Sequence, residues 1–463
     1  MDRREWLGSA TGGLVGSLAA PALAPALAAA ALAKPSTPPR AGPPSLAFLR
    51  EGPLVNVARA REYMARAGID ALVTMHPANV FYLSGHWPQL DRMGLANTAI
   101  AILPRDPARP PALVMHGFLY YYTHSDESPA SERLVFTYTQ PAVGPEGSAE
   151  PLAAPSNAYT ALDESLVTPR EKRRRAALGA VRSNSAGPDW ALTKALRELR
   201  LDGDVTLGVD DPDLALMLGA RGLPARVLAG ENTLRRIRLV KSPREIELMR
   251  MAARNNVEAA MAAATRARAA GTSRNLRADF FAEAARRGNS AVFMVIDGSS
   301  SEVMDADLVE GQSFAIDCVS SLRFYHGDFA RTVFIGEPAA RMKAVTTATL
   351  RAWRDIQSSL RAGLRFADIQ RIGRDSLRQQ GAQINISFTP HSCGLFHTDH
   401  PYPTVREPQA VEALVLEEGM IISVDCPLGN TGAGGSSHLE DLMLIHKDGA
   451  EAIHDVPANV IVV

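Results

Sequence analysis

A chain of 463 residues, 46% hydrophobic and 21% charged, is ordinary globular material, long enough for two or three domains. Its 49 Lys plus Arg balance 50 Asp plus Glu, and the net charge of -1 gives no electrostatic reason to expect nucleic acid or an anionic membrane as partner. A small, roughly neutral substrate fits better, and the odd, sparse set of Cys318, Cys393 and Cys426 is not a disulfide framework.

The N-terminus reads as a targeting segment over residues 1–33. Arg3-Arg4 precede Trp6-Leu7, and an apolar stretch ends in Ala31-Leu32-Ala33, a small-residue cleavage site before Lys34. This resembles a twin-arginine export signal and implies a folded protein delivered to the periplasm or secreted. Gly12, Gly13, Gly16, Pro21 and Pro25 interrupt the stretch, so no stable membrane insertion is expected from a span needing about 20 apolar residues. A Pro-rich connector follows over 34–53.

Residues 54–235 alternate helices with apolar strands, the pattern of an α/β layer domain. Helical spacing runs from Asn56 to Arg66 with Gly68 as its stop, and strands are expected at Asp70–Met75, Thr98–Leu103 and Ala112–His116. Gln140 to Pro169, rich in Pro, Ser, Ala and Glu, reads as a surface insertion. Ser242-Pro243-Arg244-Glu245 is a capping box, and the Ile246, Met249, Ala253, Val257 spacing carries a helix to about Gly271. A second domain is placed over 236–463.

Candidate chemistry collects in that second half. Alternation puts Ala315, Asp317 and Val319 on one face of a strand, with a second strand expected from Phe329, so Asp317 and Asp328 could face each other across a hairpin. Two such carboxylates repel unless they share a proton or a cation. Pro390 to Pro403 holds His391, His397 and His400. Asp425 and Glu440 add two acids on strands bracketing a glycine-rich loop, Gly429 to Ser437. Four carboxylates and an imidazole are a suitable set for two divalent cations bridged by water. Cys318 and Cys426, each next to one of these acids, are expected to pack behind the site.

The order of these residues carries a family resemblance. Asp317, Asp328 within YxxDxxRT (Tyr325, Asp328, Arg331, Thr332), HxxGL at His391, an acid after Leu416-Glu418-Gly419-Met420, and a final Leu-Glu-Asp resemble the prolidase, aminopeptidase P and creatinase family. Upstream, GIDALVTMHPANVFYLSG and LRRIRLVKSPREIELMRMAA are similar to the family's N-terminal domain and to the start of its catalytic domain. The resemblance implies an α+β protein: a creatinase-like N-terminal α/β domain, then a pita-bread catalytic domain, in a homodimer. It implies Asp317, Asp328, His391, Asp425 and Glu440 as ligands of two divalent metal ions, manganese, zinc, cobalt or iron. It also implies hydrolysis of a peptide or small amide bond, of Xaa-Pro dipeptidase or aminopeptidase type, by a bridging hydroxide, with Asp425 as proton shuttle as well as ligand.

The chain departs from the family pattern around that set. The family's peptidases carry Glu where Asp425 stands, a His where Ser299-Ser300-Ser301 runs, a His at the place of Thr398 and an Arg at the place of His438. His397, His400 and His438 are therefore candidates for the missing catalytic groups, and Tyr325, Thr398, His397 and His438 for substrate contacts. A creatinase-type non-peptidase or lyase acting on a small nitrogen or sulfur compound is the alternative that these departures leave open. A binding protein without activity is the third reading.

Overall fold

The computed structural model describes residues 45–463, apart from 52–53, 96–97, 125–132, 154–159, 300–302, 406–407, 409–410 and 431. The leader expected over 1–33 and the first part of the connector lie outside the described residues; within the connector, Ala47–Arg50 forms a short 3-10 helix.

The N-terminal half is built on one seven-stranded sheet. Its strands are β1 (Ala71–Thr74), β2 (Ala99–Pro104), β3 (Ala112–His116), β4 (Leu134–Tyr138), β5 (Ser183–Ser185), β6 (Thr206–Val209) and β7 (Arg226–Ala229), in the spatial order β5-β4-β3-β2-β1-β6-β7. β1 pairs antiparallel with β2 and β2 with β3, while the other neighbours run parallel. Every residue of β1 and β2 is buried, as central strands covered by helices on both faces require. The helix Val57–Ala67 starts where the Asn56 side chain accepts the Arg59 N–H and stops at Gly68 in the left-handed conformation. The expected insertion from Gln140 has no strand or α-helix up to Thr168 among the described residues; Pro169 instead opens a helix, Pro169–Gly179, capped by Thr168 and Glu171.

The C-terminal half holds two sheets. In the first, β8 (Ser290–Ile296), β9 (Ser313–Leu322) and β10 (Tyr325–Phe334) form a meander. β10 starts at Tyr325 and not at Phe329 as expected, because the turn is only Arg323-Phe324, with φ of 50° and 70°. In the second sheet, β11 (Thr389–Ser392) and β12 (Ile421–Asp425) pair antiparallel. β13 (Glu440–Asp441) joins the first sheet against β10, and β14 (Met443–Ile445) and β15 (Ala450–Ala452) extend the second. β16 (Ile461–Val462) runs parallel to the end of β10. The helix Pro243–Ala264 lies against the β9–β10 hairpin, and Gly327 permits the approach: a Cβ there would sit 2.5 Å from Asn256 Cβ and 2.7 Å from the Ala252 carbonyl. That helix ends at Ala264, short of the expected Gly271, which instead caps the separate turn Ala267–Ala270. One apolar cluster joins the halves, from Leu72, Phe81 and Leu113 to Leu248, Tyr325 and Ile421.

Candidate metal centre

Strand register builds the site. Asp317 of β9 stands opposite Ala330 of β10, and Ala330 stands opposite Glu440 of β13. Directly paired residues project to one face, so Asp317, Ala330 and Glu440 form a row whose middle member is only a methyl group. Asp328 is two residues along β10 on that same face. The two aspartates are thus diagonal neighbours, not the directly opposed pair expected from the sequence, since Asp328 itself pairs with Val319. In the second sheet Thr389 pairs with Asp425 and His391 with Ser423, which puts His391 and Asp425 on one face. Asp425 and Glu440 therefore come from different sheets: the loop between them crosses from one to the other and does not return as a hairpin.

Across this junction His391 Nε2 lies 3.2 Å from Glu440 Oε1, 3.5 Å from Asp328 Oδ2 and 3.7 Å from Asp425 Oδ2. Two further imidazoles enter. His397 Nε2 is 3.2 Å from Asp328 Oδ2, and His438 Nε2 is 3.4 Å from Asp425 Oδ1 and 3.8 Å from Glu440 Oε2. Ligand-type atoms fall into three groups within 4.8 Å: Asp328 with His391 and His397; Asp317 with His438 and Glu440; His391 with Asp425 and Glu440. Asp328 and Glu440 side chains are 0% and 1% exposed, whereas Asp425 and His397 are 33% and 34% exposed and form the open edge.

Several polar atoms here lack a well-aligned protein hydrogen bond. Asp317 Oδ1, both Asp328 carboxylate oxygens, His391 Nδ1 and His438 Nε2 are buried without an aligned hydrogen bond. Burial, with the Asp328 carboxylate adding to it, pushes Asp317 up to about 7. Burial and the neighbouring Asp328 and Asp425 carboxylates hold Glu440 well above the ordinary carboxylate range. Burial would raise Asp328 too, but the imidazole of His397 against it brings it below its usual value. Buried carboxylates at this density need cations. Hard oxygen donors with imidazoles fit divalent ions, and within each of the three groups the ligand-type atoms lie within 4.8 Å of one another.

Other sequence candidates stand elsewhere. Tyr325 is odd-numbered on β10 and faces away from Asp328, its hydroxyl donating to Glu245 Oε1 at 2.9 Å. His400 accepts the Ser392 N–H on Nδ1 at 3.3 Å and packs edge-on to Phe366, outside the three ligand groups. Thr398 places its hydroxyl 3.2 Å from His397 Nδ1, behind the imidazole that reaches the cluster. Of the serine run, Ser300 and Ser301 lie outside the described residues. Cys318 and Cys426 are buried in apolar clusters behind their strands, and Cys393 donates its thiol to the His326 carbonyl at 3.6 Å.

Supporting groups went unread in the sequence. Thr332, on the Asp328 face of β10, bonds the Ser437 hydroxyl at 2.9 Å and both backbone groups of His438 at 3.2 Å, fixing that imidazole. Phe293 and His326 pack edge-on against His397 at 5.7 and 6.4 Å. The His397–His400 loop is held from the N-terminal half: Arg235 donates to the carbonyls of Thr398 and His400, and the fully buried Arg238 meets Asp399 at 2.9 Å and Asn79 Oδ1 at 2.8 Å. Gly394 makes room for this, since a Cβ there would sit 2.9 Å from Asp399 Oδ2. The signal was the LRRIRLVKS stretch, whose arginines are spaced at i and i+3 on the helix Glu231–Leu239.

A mixed-sheet domain leading into two sheets that hold clustered acids and imidazoles is the architecture of a metallohydrolase. Residues 247–447 match the metallopeptidase family M24, and residues 56–168 match the creatinase/prolidase N-terminal domain. A probable dipeptidase PepE of Mycobacterium tuberculosis is 28% identical over 262 residues, covering 54% of this chain and 68% of that protein. An Xaa-Pro dipeptidase of Pyrococcus furiosus is 24% identical over 150 residues, 32% of this chain and 41% of that one. The crystal structure of an Xaa-Pro dipeptidase from Bacillus anthracis superposes with a TM-score of 0.61 at 17% identity, covering 88% of this chain and 99% of that one. That likeness speaks for the fold: a creatinase-type domain followed by a pita-bread domain. The chain belongs to the prolidase, aminopeptidase P and creatinase family of M24 metallopeptidases.

Proposed function

We propose that this protein is a metal-dependent exopeptidase of dipeptidase or Xaa-Pro type that hydrolyses a short peptide or small amide at the junction of its two C-terminal sheets. The observation that carries the reading is the convergence of Asp317, Asp328, His391, Asp425 and Glu440, with polar atoms left unpartnered in a buried cleft. We assign these five as the ligands of two divalent ions, manganese, zinc, cobalt or iron. When bound, such ions supply a Lewis acid for the amide carbonyl and a water of lowered pKa.

The chain's own groups do the rest. Asp425, a half-buried carboxylate at the open edge, takes a proton from the attacking water and passes it to the leaving amine in this reading. His397, also at the open edge, has its imidazolium favoured by Asp328 despite burial, with Nε2 turned to that carboxylate, and we assign it a contact with substrate at the mouth of the site. His438 stands 3.4 Å from Asp425, beside that shorter carboxylate. The exchange of Arg for His438 and of Glu for Asp425 also favours the second reading, a creatinase-type hydrolase or lyase on a small nitrogen or sulfur compound.

The proposal includes a homodimer and, from Arg3-Arg4 and the apolar leader, export to the periplasm. Among the described residues no helix is long and apolar enough to cross a membrane. Metal analysis of the purified protein, followed by a dipeptide and small-amide screen with Asp317→Asn as control, tests the function. Less than about one ion per chain, or turnover unchanged in Asp317→Asn, refutes it.

A further inference from the structure

A second concave site lies outside the metal centre. A cavity of about 540 Å³ opens in the N-terminal half, within the range of roughly 300–1,000 Å³ usual for small-molecule sites, and none of the metal-centre residues line it. Leu49, Val55, Phe81 and Trp87 give it apolar walls. Among the described lining residues there are five arginines, Arg50, Arg61, Arg109, Arg133 and Arg323, and no Asp or Glu.

Some of these guanidinium groups are engaged by the protein. Arg109 pairs with Asp106 at 3.2 Å, and Arg133 donates to the Ser84 carbonyl. Arg61 differs: its Nε is buried with no hydrogen-bond partner. Arg323 lies over the Trp87 ring at 4.4 Å, presented there by the Arg323-Phe324 turn, whose two residues both take left-handed conformations that side chains other than glycine rarely adopt. Positive charge of one sign around a low-dielectric concavity focuses its field into the hollow, and a planar guanidinium is matched by a carboxylate. Apolar walls select for a body that leaves water.

We propose that this cavity binds an amphipathic carboxylate, an acyl or aryl body with one anionic head, and that Arg61 receives the head. The site is independent of the peptidase reading and lies at the tip of the hairpin whose strands carry Asp317 and Asp328.

Sodium decanoate is titrated into the metal-loaded full-length protein, followed by calorimetry and by tryptophan emission, since Trp87 is in the wall. Acetate lacks the body and 1-decanol lacks the charge. Decanoate is expected to saturate one site per chain, with the other two at least about tenfold weaker. Arg61→Gln should weaken decanoate by about tenfold while Arg61→Lys retains binding, and Leu49→Asp should abolish it. Hydrolytic activity of these variants reports that they are folded. Asp317→Asn should bind decanoate as the parent does, which separates this site from carboxylate binding at the metals. Absence of saturation, equal binding of acetate or decanol, or loss in Asp317→Asn with retention in Arg61→Gln overturns the proposal.

Discussion

Arg331 is the residue on which the geometry of Glu440 most depends, and its replacement by methionine tests how the centre is held. Arg331 is odd-numbered on β10, so it points to the face opposite the acids, where its side chain is 0% exposed. There its guanidinium meets Asp441 Oδ1 at 2.6 Å, donates to the Glu440 carbonyl at 3.0 Å and to Pro457 at 3.2 Å, and stacks on Phe329 at 4.1 Å. β13 is only two residues long, so Glu440 is positioned by its ladder pairs with β10 and by this one cation. Arg331→Met leaves the Asp441 carboxylate, 2% exposed, with the His454 imidazole at 2.9 Å as its remaining partner. Removing one member of a buried pair costs about 3–5 kcal/mol, whereas replacing both by apolar groups is often near neutral. Arg331→Met should therefore lose about 3–5 kcal/mol in guanidinium titrations and bind metal more weakly, and Arg331→Met/Asp441→Leu should regain most of the stability. A loss under about 1 kcal/mol with unchanged metal affinity, or a double variant as unstable as the single, refutes the reasoning.

The other predictions concern charge and position. Burial raises the Glu245 carboxyl to about 7 from 4.5, so the folded state keeps a proton that the unfolded chain releases between those values, and stability falls as pH rises through that window. By linkage the fall is about 3 kcal/mol, and Glu245→Gln should flatten it relative to the parent in denaturation curves taken from pH 4.5 to 8. Ala330→Leu would drive a side chain between Asp317 and Glu440; retained secondary structure by circular dichroism with metal stoichiometry reduced below half is the expected result. Asp399→Asn removes the charge that Arg238 meets at 2.9 Å and loosens the loop bearing His397; a fall in kcat by about tenfold or more with metal content unchanged is expected, and unaltered kinetics would count against the clamp. Chelator treatment should lower the melting temperature, with re-addition of manganese, cobalt or zinc restoring it.

What the sequence disclosed depends on how local the cause was. The helix Pro243–Ala264 was readable because Ser242 and Glu245 cap each other within four residues, and β3 was readable to the residue because an apolar run is bounded by Pro111 and Gly117. The four acids were singled out by alternation along expected strands and His391 by a cluster of three histidines, and the family order of these residues joined them into one set. Their pairing was not legible: whether Asp425 and Glu440 share a sheet is set by which edge β13 finds, and a two-residue strand carries too little pattern to say. His438 and Thr332 show the same limit, since their contact spans 106 positions. Tyr325 was misplaced for a simpler cause. The tight Arg323-Phe324 turn lengthened β10 by four residues beyond the expected start, and parity along that strand then turned the phenol to the Glu245 side.

Parity also explains how one strand can both concentrate negative charge and tolerate it. On β10, Asp328, Ala330 and Thr332 face the cleft, while Tyr325, Phe329 and Arg331 face the core or the reverse side. The cleft face holds carboxylates that demand cations; the reverse face holds a cation that fixes the backbone carrying Glu440, and a phenol that neutralises nothing but hydrogen-bonds a protonatable Glu245. The backbone carrying Glu440 is thus held by a cation that does not compete with metal for the carboxylate oxygens. Stability and coordination are assigned to opposite faces of the same strand, so altering Glu245 shifts stability without touching the carboxylates, whereas altering Arg331 shifts stability and, through the Glu440 backbone, metal affinity together. A site whose acids were instead held by direct Lys or Arg partners would give up that cation for every metal it took.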